Sequence, residues 1–479
     1  MVILLAALSG FLLNTSFEPI GIWWSAPLAI ALLLIALESR SLAWRITSLF
    51  VFGLTFFGPL LHWSSTYVGA IPWIFLTILE STFFIPLAFI SRIRSWRVFL
   101  FPSGWLALEV LRSRFPFGGF GWGRLAFSQP DAPYAPLAAL GGASLLSFIV
   151  ALLGVLLYLV IRREKTKSLL AVALVLTLLS STLLIQKTER LPTFFVVAIQ
   201  GGVPTLGLDF NSRATAVFNN HLIATENYLR TSAKRPDLIL WPENSVDVDP
   251  FHNAAVGQEL QNLVDKYQIP ILMGAVLNKN EYFENASILW VPETGATSQY
   301  IKQHLTPFGE YIPLRTLAEF VSPYAKNVTD FRPGDETVMH RVGSASIAPI
   351  ICYELIDDQL GREMAAQSNL LVVQTNSATF GLSAESAQQL AITRIRAIEH
   401  QREVVSVATS GISAVIDMRG RVIQRTAQDR AEVLAQDLSL NAKRSIADSL
   451  GAWMEWTLVL LPLLFWFIVS TMNRRRRIR

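Results

Sequence analysis

The stretch 345-ASIAPIICYEL-355 carries the only cysteine in a chain of 479 residues. Its apolar run, with three isoleucines, fits a buried β-strand that ends at Cys352, Tyr353 and Glu354, and Pro349 suits the beginning of such a strand. Seven more strand-like runs surround it: FFVVAIQ from residue 194, LILWPE from 238, IPILMGAV from 269, SILWVP from 287, NLLVVQTN from 369, EVVSVATS from 403 and ISAVIDMRGRVIQ from 412. Helical patterns lie between several of them, over 212–231, 254–267, 357–367 and 384–400. This alternating order, with several nearly continuous apolar strands, implies an α/β layered fold whose sheets are covered by helices. Polar groups at the C-terminal ends of such strands are where ligands bind. A lone cysteine there reads either as a small buried hydrophobe or as a nucleophile, and the rest of the chain has to decide.

Composition sets the frame. Hydrophobic residues make up 52% of the chain and charged residues 16%, and the mean hydropathy is +0.41, too apolar for an ordinary soluble chain of this length. Runs able to cross a bilayer, which takes about 20 residues, fall at roughly 2–15, 21–37, 46–61, 68–90, 98–111, 136–160, 168–186 and 452–471. The expected organisation is a transmembrane bundle of seven spans over 1–190, a folded domain over 191–445, and a final span with a basic tail over 446–479. Four basic clusters fall on one side of eight crossings: Arg40 and Arg45; Arg92, Arg94 and Arg97; Arg162, Arg163, Lys165 and Lys167; and the terminal run from Arg474 to Arg479. The positive-inside rule makes that side cytoplasmic and the folded domain extracytoplasmic, on a multi-pass protein of a bacterial cytoplasmic membrane. Arg112, Arg114 and Arg124 dissent from the outer side, in a Gly/Pro/aromatic loop that suits either an interfacial belt of snorkelling arginines or a floor for anionic headgroups.

Other chemistries find little support. One cysteine excludes an intrachain disulfide. The six histidines are scattered, with no HExxH or CxxC, so no metal is expected. There is no phosphate-binding glycine loop, so no nucleotide cofactor is expected either. The basic tail follows a span and reads as a topology anchor rather than a nucleic-acid arm.

Three places in the folded domain carry candidate chemistry. Glu243 leaves a strand in LILWPEN behind Pro242; Lys302 stands among aromatics, prolines, His304 and Glu310 in YIKQHLTPFGEYIP; Cys352 ends the strand from 345. Burying such charges is costly unless they are paired. The order WPE, then K-x-x-L-x-P-F-G-E-Y, then ICYE resembles the Glu-Lys-Cys constellation of the nitrilase superfamily. With seven spans before it and one after, the chain as a whole is similar to the apolipoprotein N-acyltransferase family, the membrane-embedded branch of that superfamily.

The resemblance implies an αββα sandwich and a set of roles: Cys352 as nucleophile, Glu243 as general base, Lys302 as stabiliser of the oxyanion, and Glu310, Tyr353 and Glu354 as supports of the site. It also implies ping-pong transfer of a fatty acyl chain from a membrane phospholipid, through a cysteine thioester, to the α-amino group of a diacylglyceryl apolipoprotein, without cofactor. Rival readings are a membrane-tethered amidase and a non-catalytic nitrilase-like binding module. Departures from the family pattern lie in 376-NSATFG-381, where Ser377 and Thr379 replace Asp and Trp, in TSGIS from 409, and at Phe210, where a Trp is expected.

Overall fold

A computed structural model describes residues 1–38, 41–90, 97–181, 192–207, 214–313, 315, 316, 319 and 330–478. Arg40, Arg92, Arg94, Phe210, Arg479 and the end of the expected span 168–186 lie outside them. The chain divides into two compact units, one comprising Met1–Ser65, Gly69–Gln186 and Ser445–Arg479, the other Thr66–Val68 and Lys187–Arg444.

The first unit is helical: α1 (Val2–Asn14), α2 (Ser25–Ala36), α3 (Leu42–Leu60), α4 (Ala70–Thr82), α5 (Leu87–Ile90), α6 (Arg97–Arg112), α7 (Ala138–Ile161) and α8 (Lys165–Ser181). Among the described residues four helical segments are long and apolar enough to cross a membrane: Leu42–Leu60, Ala70–Ile90, Ala135–Ile161 and Ala452–Val469. Val2–Asn14, Ser25–Ala36 and Ser168–Thr177 are apolar but shorter.

The dissenting arginines find acids. Arg112, 3% exposed, lies 3.2 Å from Glu80 and donates to the Phe120 and Trp122 carbonyls. Arg124 pairs with Glu109 at 3.6 Å and Arg114 with Glu455 at 2.7 Å. Arg112 and Arg124 are buried, so snorkelling does not describe them. In an apolar unit a buried cation persists when a counter-charge and carbonyls replace its water, and Glu80 and Glu109 supply that charge.

Among the described residues the second unit holds twelve strands: β1 (Thr193–Gln200), β2 (Leu238–Leu240), β3 (Ile271–Asn278), β4 (Phe283–Val291), β5 (Gly295–Ile301), β6 (His340–Val342), β7 (Ala345–Ile351), β8 (Leu370–Thr375), β9 (Val404–Ala408), β10 (Ala414–Ile416), β11 (Val422–Arg425) and β12 (Glu432–Ser439). Its main helices are α9 (Ala216–Thr231), α10 (Ala254–Tyr267), α11 (Asp358–Gln367) and α12 (Glu385–His400). The chain returns to the first unit with α13 (Ile446–Leu450) and α14 (Ala452–Ile478).

Two six-stranded sheets form, in the orders β12-β1-β2-β3-β4-β5 and β11-β10-β9-β8-β7-β6. Each has a parallel centre, β1-β2-β3 or β7-β8-β9, flanked by antiparallel strands. Period-two alternation in β1 explains the layering. Phe194, Val196 and Ala198 join Leu240, Ile347, Leu370, Val372 and Val405 in the core between the sheets. Phe195, Val197 and Ile199 face the other way, against Phe218 of α9 and Leu260 and Val264 of α10. On the second sheet α11 packs on β7 and α12 on β9. The unit is therefore an α/β sandwich of four layers, helix, sheet, sheet, helix, the αββα arrangement expected from the sequence.

Pro349 lies inside β7 rather than at its start. Strand β6 pairs with β7 only over Ala345–Ile347, so Pro349 sits past the edge strand, where a missing N–H disturbs no ladder on that side.

Candidate active site

Glu243, Lys302 and Cys352 each stand at or just past the C-terminal end of a strand, β2, β5 and β7. The turn at Pro242–Glu243–Asn244 is seated on β3, whose Gly274 N–H donates to the Pro242 carbonyl at 3.1 Å. A Cβ at Gly274 would meet the Glu243 Cα and the Pro242 carbonyl oxygen at 2.5 Å, so only glycine lets the turn approach this closely. Lys302 follows β5 directly, its backbone N–H donating to the Asn285 carbonyl at 2.8 Å.

Cys352 opens the short turn Cys352–Ile356 with φ of +50°. For a residue with a Cβ that left-handed conformation costs on the order of 1 kcal/mol, and the surroundings must hold it. Glu354 does the holding. One of its carboxylate oxygens accepts the Ile351 N–H at 2.8 Å; the other accepts the Tyr300 hydroxyl and the Gln303 N–H at 2.7 Å each. It thus ties the turn that opens at Cys352 to the chain segment that carries Lys302. Tyr353 lies half-buried in the same turn. Arg396 of α12 donates to the Leu355 carbonyl at 2.9 Å and pairs with Asp358 and Glu399, which fixes α11 and α12 to the far end of the turn.

At the centre the Lys302 ammonium lies 3.3 Å from Glu243 Oε1 and 2.8 Å from Glu310 Oε2, with Lys302 1% exposed. Asn285 of β4 bridges the two carboxylates, its Nδ2 donating to Glu243 Oε1 at 2.7 Å and Glu310 Oε1 at 2.8 Å. Burial alone would lower the Lys302 ammonium, but Glu310 and Glu243 outweigh it and hold the group above its ordinary value. Burial pushes the Glu243 carboxyl up, against the pull of Lys302. Burial also pushes the half-buried Cys352 thiol well up, with Glu243 adding to it, Lys302 opposing and Glu385 and Glu310 adding further. A thiol pushed up in this way needs a base to take its proton before it can serve as a nucleophile. Both Glu243 and Lys302 act electrostatically on that sulfur.

Of the residues singled out in the sequence, Glu243, Lys302, Glu310, Cys352 and Glu354 are thus drawn into one cluster. The sequence reading passed over three others. Asn285 sits beside Glu284 in the more polar first half of β4, FENASILWV, so the sequence pattern did not set it apart. Gln389 of α12 donates from Nε2 toward Cys352 Sγ at 3.8 Å. Glu385, one helical turn earlier, is 2% exposed and is hydrogen-bonded by the hydroxyls of Ser377 and Ser386.

Comparison with known proteins agrees with both units. Residues 9–156 match the family described as apolipoprotein N-acyltransferase N-terminal domain, and residues 197–448 match carbon-nitrogen hydrolase. A protein of Mycolicibacterium smegmatis named apolipoprotein N-acyltransferase is 34% identical over 97% of this chain and 84% of its own length. One of the same name from Geobacter metallireducens is 29% identical over 95% of this chain and 93% of its own length. Among solved structures, a mutant of the Nesterenkonia AN1 amidase of the nitrilase superfamily aligns with a TM-score of 0.40 at 15% identity, covering 53% of this chain and 93% of that one. On the match over nearly its whole length, the chain belongs to the apolipoprotein N-acyltransferase family, its second unit to the carbon-nitrogen hydrolases.

Proposed function

We propose that the chain transfers a fatty acyl group from a membrane phospholipid to the α-amino group of a diacylglyceryl-cysteine at the N-terminus of an apolipoprotein, through a thioester on Cys352. The observation that carries this reading is the single cysteine at a strained strand end, under the field of a buried Lys302 held between Glu243 and Glu310, in a chain related along its length to N-acyltransferases.

In the first half-reaction the Cys352 sulfur attacks the donor ester carbonyl while Glu243 takes the thiol proton. Lys302, with two of its three donors on carboxylates, directs the third at the developing oxyanion; removing one such donor typically costs about 3 to 4 kcal/mol of transition-state stabilisation. The ester C–O bond breaks, the proton on Glu243 passes to the leaving alkoxide, and lysophospholipid departs. In the second half-reaction the acceptor amine attacks the thioester, the C–S bond breaks, an amide forms and the sulfur regains its proton. Glu310, Asn285 and Glu354 position these groups.

The membrane layout belongs to the same reading: a seven-span bundle over 1–190, the catalytic domain over 191–445 on the extracytoplasmic face of the cytoplasmic membrane, and an eighth span with a basic tail over 446–479. The expected spans correspond to α1, α2, α3, α4 with α5, α6, α7, α8 and α14.

The test is incubation of the purified protein with phospholipid labelled in its acyl chain. Label should collect on Cys352 and be discharged by an added diacylglyceryl-cysteine peptide, and Cys352→Ala should take up none. Label lost to water alone would turn the reading to a hydrolase, and no label on the wild type would refute it.

A further inference from the structure

The acyl acceptor imposes a proton count that Glu243 alone does not meet. An α-amino group is largely an ammonium at neutral pH, and on its way to an amide its nitrogen loses two protons. One returns to the Cys352 sulfur as the C–S bond breaks, by way of Glu243. The other needs a second acceptor beside the thioester.

The carboxyl of Glu385 lies close enough to act on this site. It opens α12 four residues before Gln389, so the two share one helix face, and Gln389 reaches the Cys352 sulfur. Glu385 acts electrostatically on both Cys352 and Glu243. It is enclosed, yet its hydrogen-bond partners are the Ser377 and Ser386 hydroxyls rather than a cation. Gly411 keeps the enclosure tight, since a Cβ there would meet Ser377 Oγ at 2.5 Å and Ser386 Oγ at 2.9 Å. A buried carboxyl held only by hydroxyls is a costly arrangement unless a charge arrives to meet it. The charges around the sulfur favour a cation, because among the described residues Glu243, Glu310 and Glu385 act on the sulfur in one sense and Lys302 in the other. The donor's anionic phosphate gains nothing from this surplus; an ammonium does.

Building on the N-acyltransferase reading, we infer that Glu385 is the docking carboxylate for the acceptor's ammonium and takes its first proton. Written out, the ammonium and the Glu385 carboxylate become a free amine and a carboxylic acid. The amine forms a bond to the thioester carbonyl carbon, the C–S bond breaks, and the amine's second proton reaches sulfur by way of Glu243. The products are an amide, a Cys352 thiol and a protonated Glu385, which releases its proton to water. Burial holds Glu385 up to about 7, with the two hydroxyls pulling down and Glu243 adding to the rise. That suits a group that must both accept and release a proton near neutrality. The sequence had marked Ser377 as a departure from the family pattern; in the structure its hydroxyl is one of the two that hold Glu385.

The experiment loads full-length wild type and Glu385→Gln with labelled acyl chain and follows discharge at pH 7 by two nucleophiles. One is a diacylglyceryl-cysteine peptide, charged at its amine; the other is hydroxylamine, uncharged at that pH. In Glu385→Gln, discharge by the peptide should fall at least tenfold relative to discharge by hydroxylamine. Equal slowing with both nucleophiles, or no slowing with either, overturns the inference. If Glu385→Gln does not fold, Ser377→Ala is used: losing a hydroxyl that lowers the Glu385 carboxyl should move the acid limb of peptide discharge to higher pH and leave hydroxylamine discharge in place. An unmoved limb, or one that moves for both, overturns it. Failure of the wild type to load at all would refute the N-acyltransferase reading itself, which the loading step reports separately.

Discussion

Glu385 illustrates how a single buried carboxyl links stability to pH. Its ordinary value is 4.5 and burial raises it to about 7 in the folded chain. Between those values the folded state holds a proton that the unfolded chain has already released, so stability falls as pH rises through the window, and above about pH 7 the whole penalty is present. The shift corresponds to roughly 3 kcal/mol at most. Glu385→Gln removes the titration while keeping the shape. Its melting temperature in detergent should therefore exceed that of the wild type at pH 8, with the gap closing toward pH 5. A gap that stayed constant across that range would show that Glu385 does not titrate there. A residue kept at such a cost is one whose use is not structural, the pattern expected where a site stores strain for function.

At the scale of elements, the strands that read clearly in the sequence were those buried on both faces. β1, β3, β7, β8 and β9 are near-continuous apolar runs because helices cover one side and the opposing sheet the other. β5 (GATSQYI), β6 (three residues) and β12 (EVLAQDLS) went unread, because they lie at sheet edges where polar residues are tolerated and the periodic signal fades. The same contrast divides the site. Glu243, Lys302, Glu310 and Cys352 stood in short motifs at strand ends, whereas Glu385 and Gln389 sit in a helix whose inward face only the fold decides, and Asn285 points from one strand toward groups far along the chain. Seating also depends on elements, as at the turn after β2. Gly274→Ala would drive a methyl into the backbone at Glu243, at a cost of about 1 to 3 kcal/mol for overpacking. We expect transfer to fall at least tenfold, measured with labelled phospholipid and lipopeptide, while circular dichroism stays native. Full activity despite a lowered melting temperature would show that seating Glu243 on β3 does not matter for transfer.

Over the whole molecule, two kinds of buried charge are held in different ways. In the helical unit Arg112 is matched by Glu80 and by the Phe120 and Trp122 carbonyls of its own loop, and Arg124 by Glu109 and the Ser144 hydroxyl, an arrangement that holds a glycine-rich segment in shape. In the sandwich Lys302 is held between Glu243 and Glu310, and Glu385 adds a third carboxyl that acts on the sulfur. A reaction joining a membrane lipid to the N-terminus of a protein further requires the sandwich to face the compartment where that N-terminus is exposed. The basic residues argue for one orientation, because Arg40 and Arg45, then Arg92, Arg94 and Arg97, then the Arg162–Lys167 cluster, then the terminal arginines recur after every second expected span, and translocating such clusters is disfavoured. The short helices α1 and α2 bear on the count, since losing either as a crossing would leave seven and invert the sandwich relative to one terminus. The check is a pair of reporter fusions active only outside the cytoplasm. A reporter joined after Thr193 should be active and one joined after Arg163 silent, since one expected span separates them. The reverse pattern would turn the orientation over, and equal activity at both positions would mean that residues 168–186 do not cross.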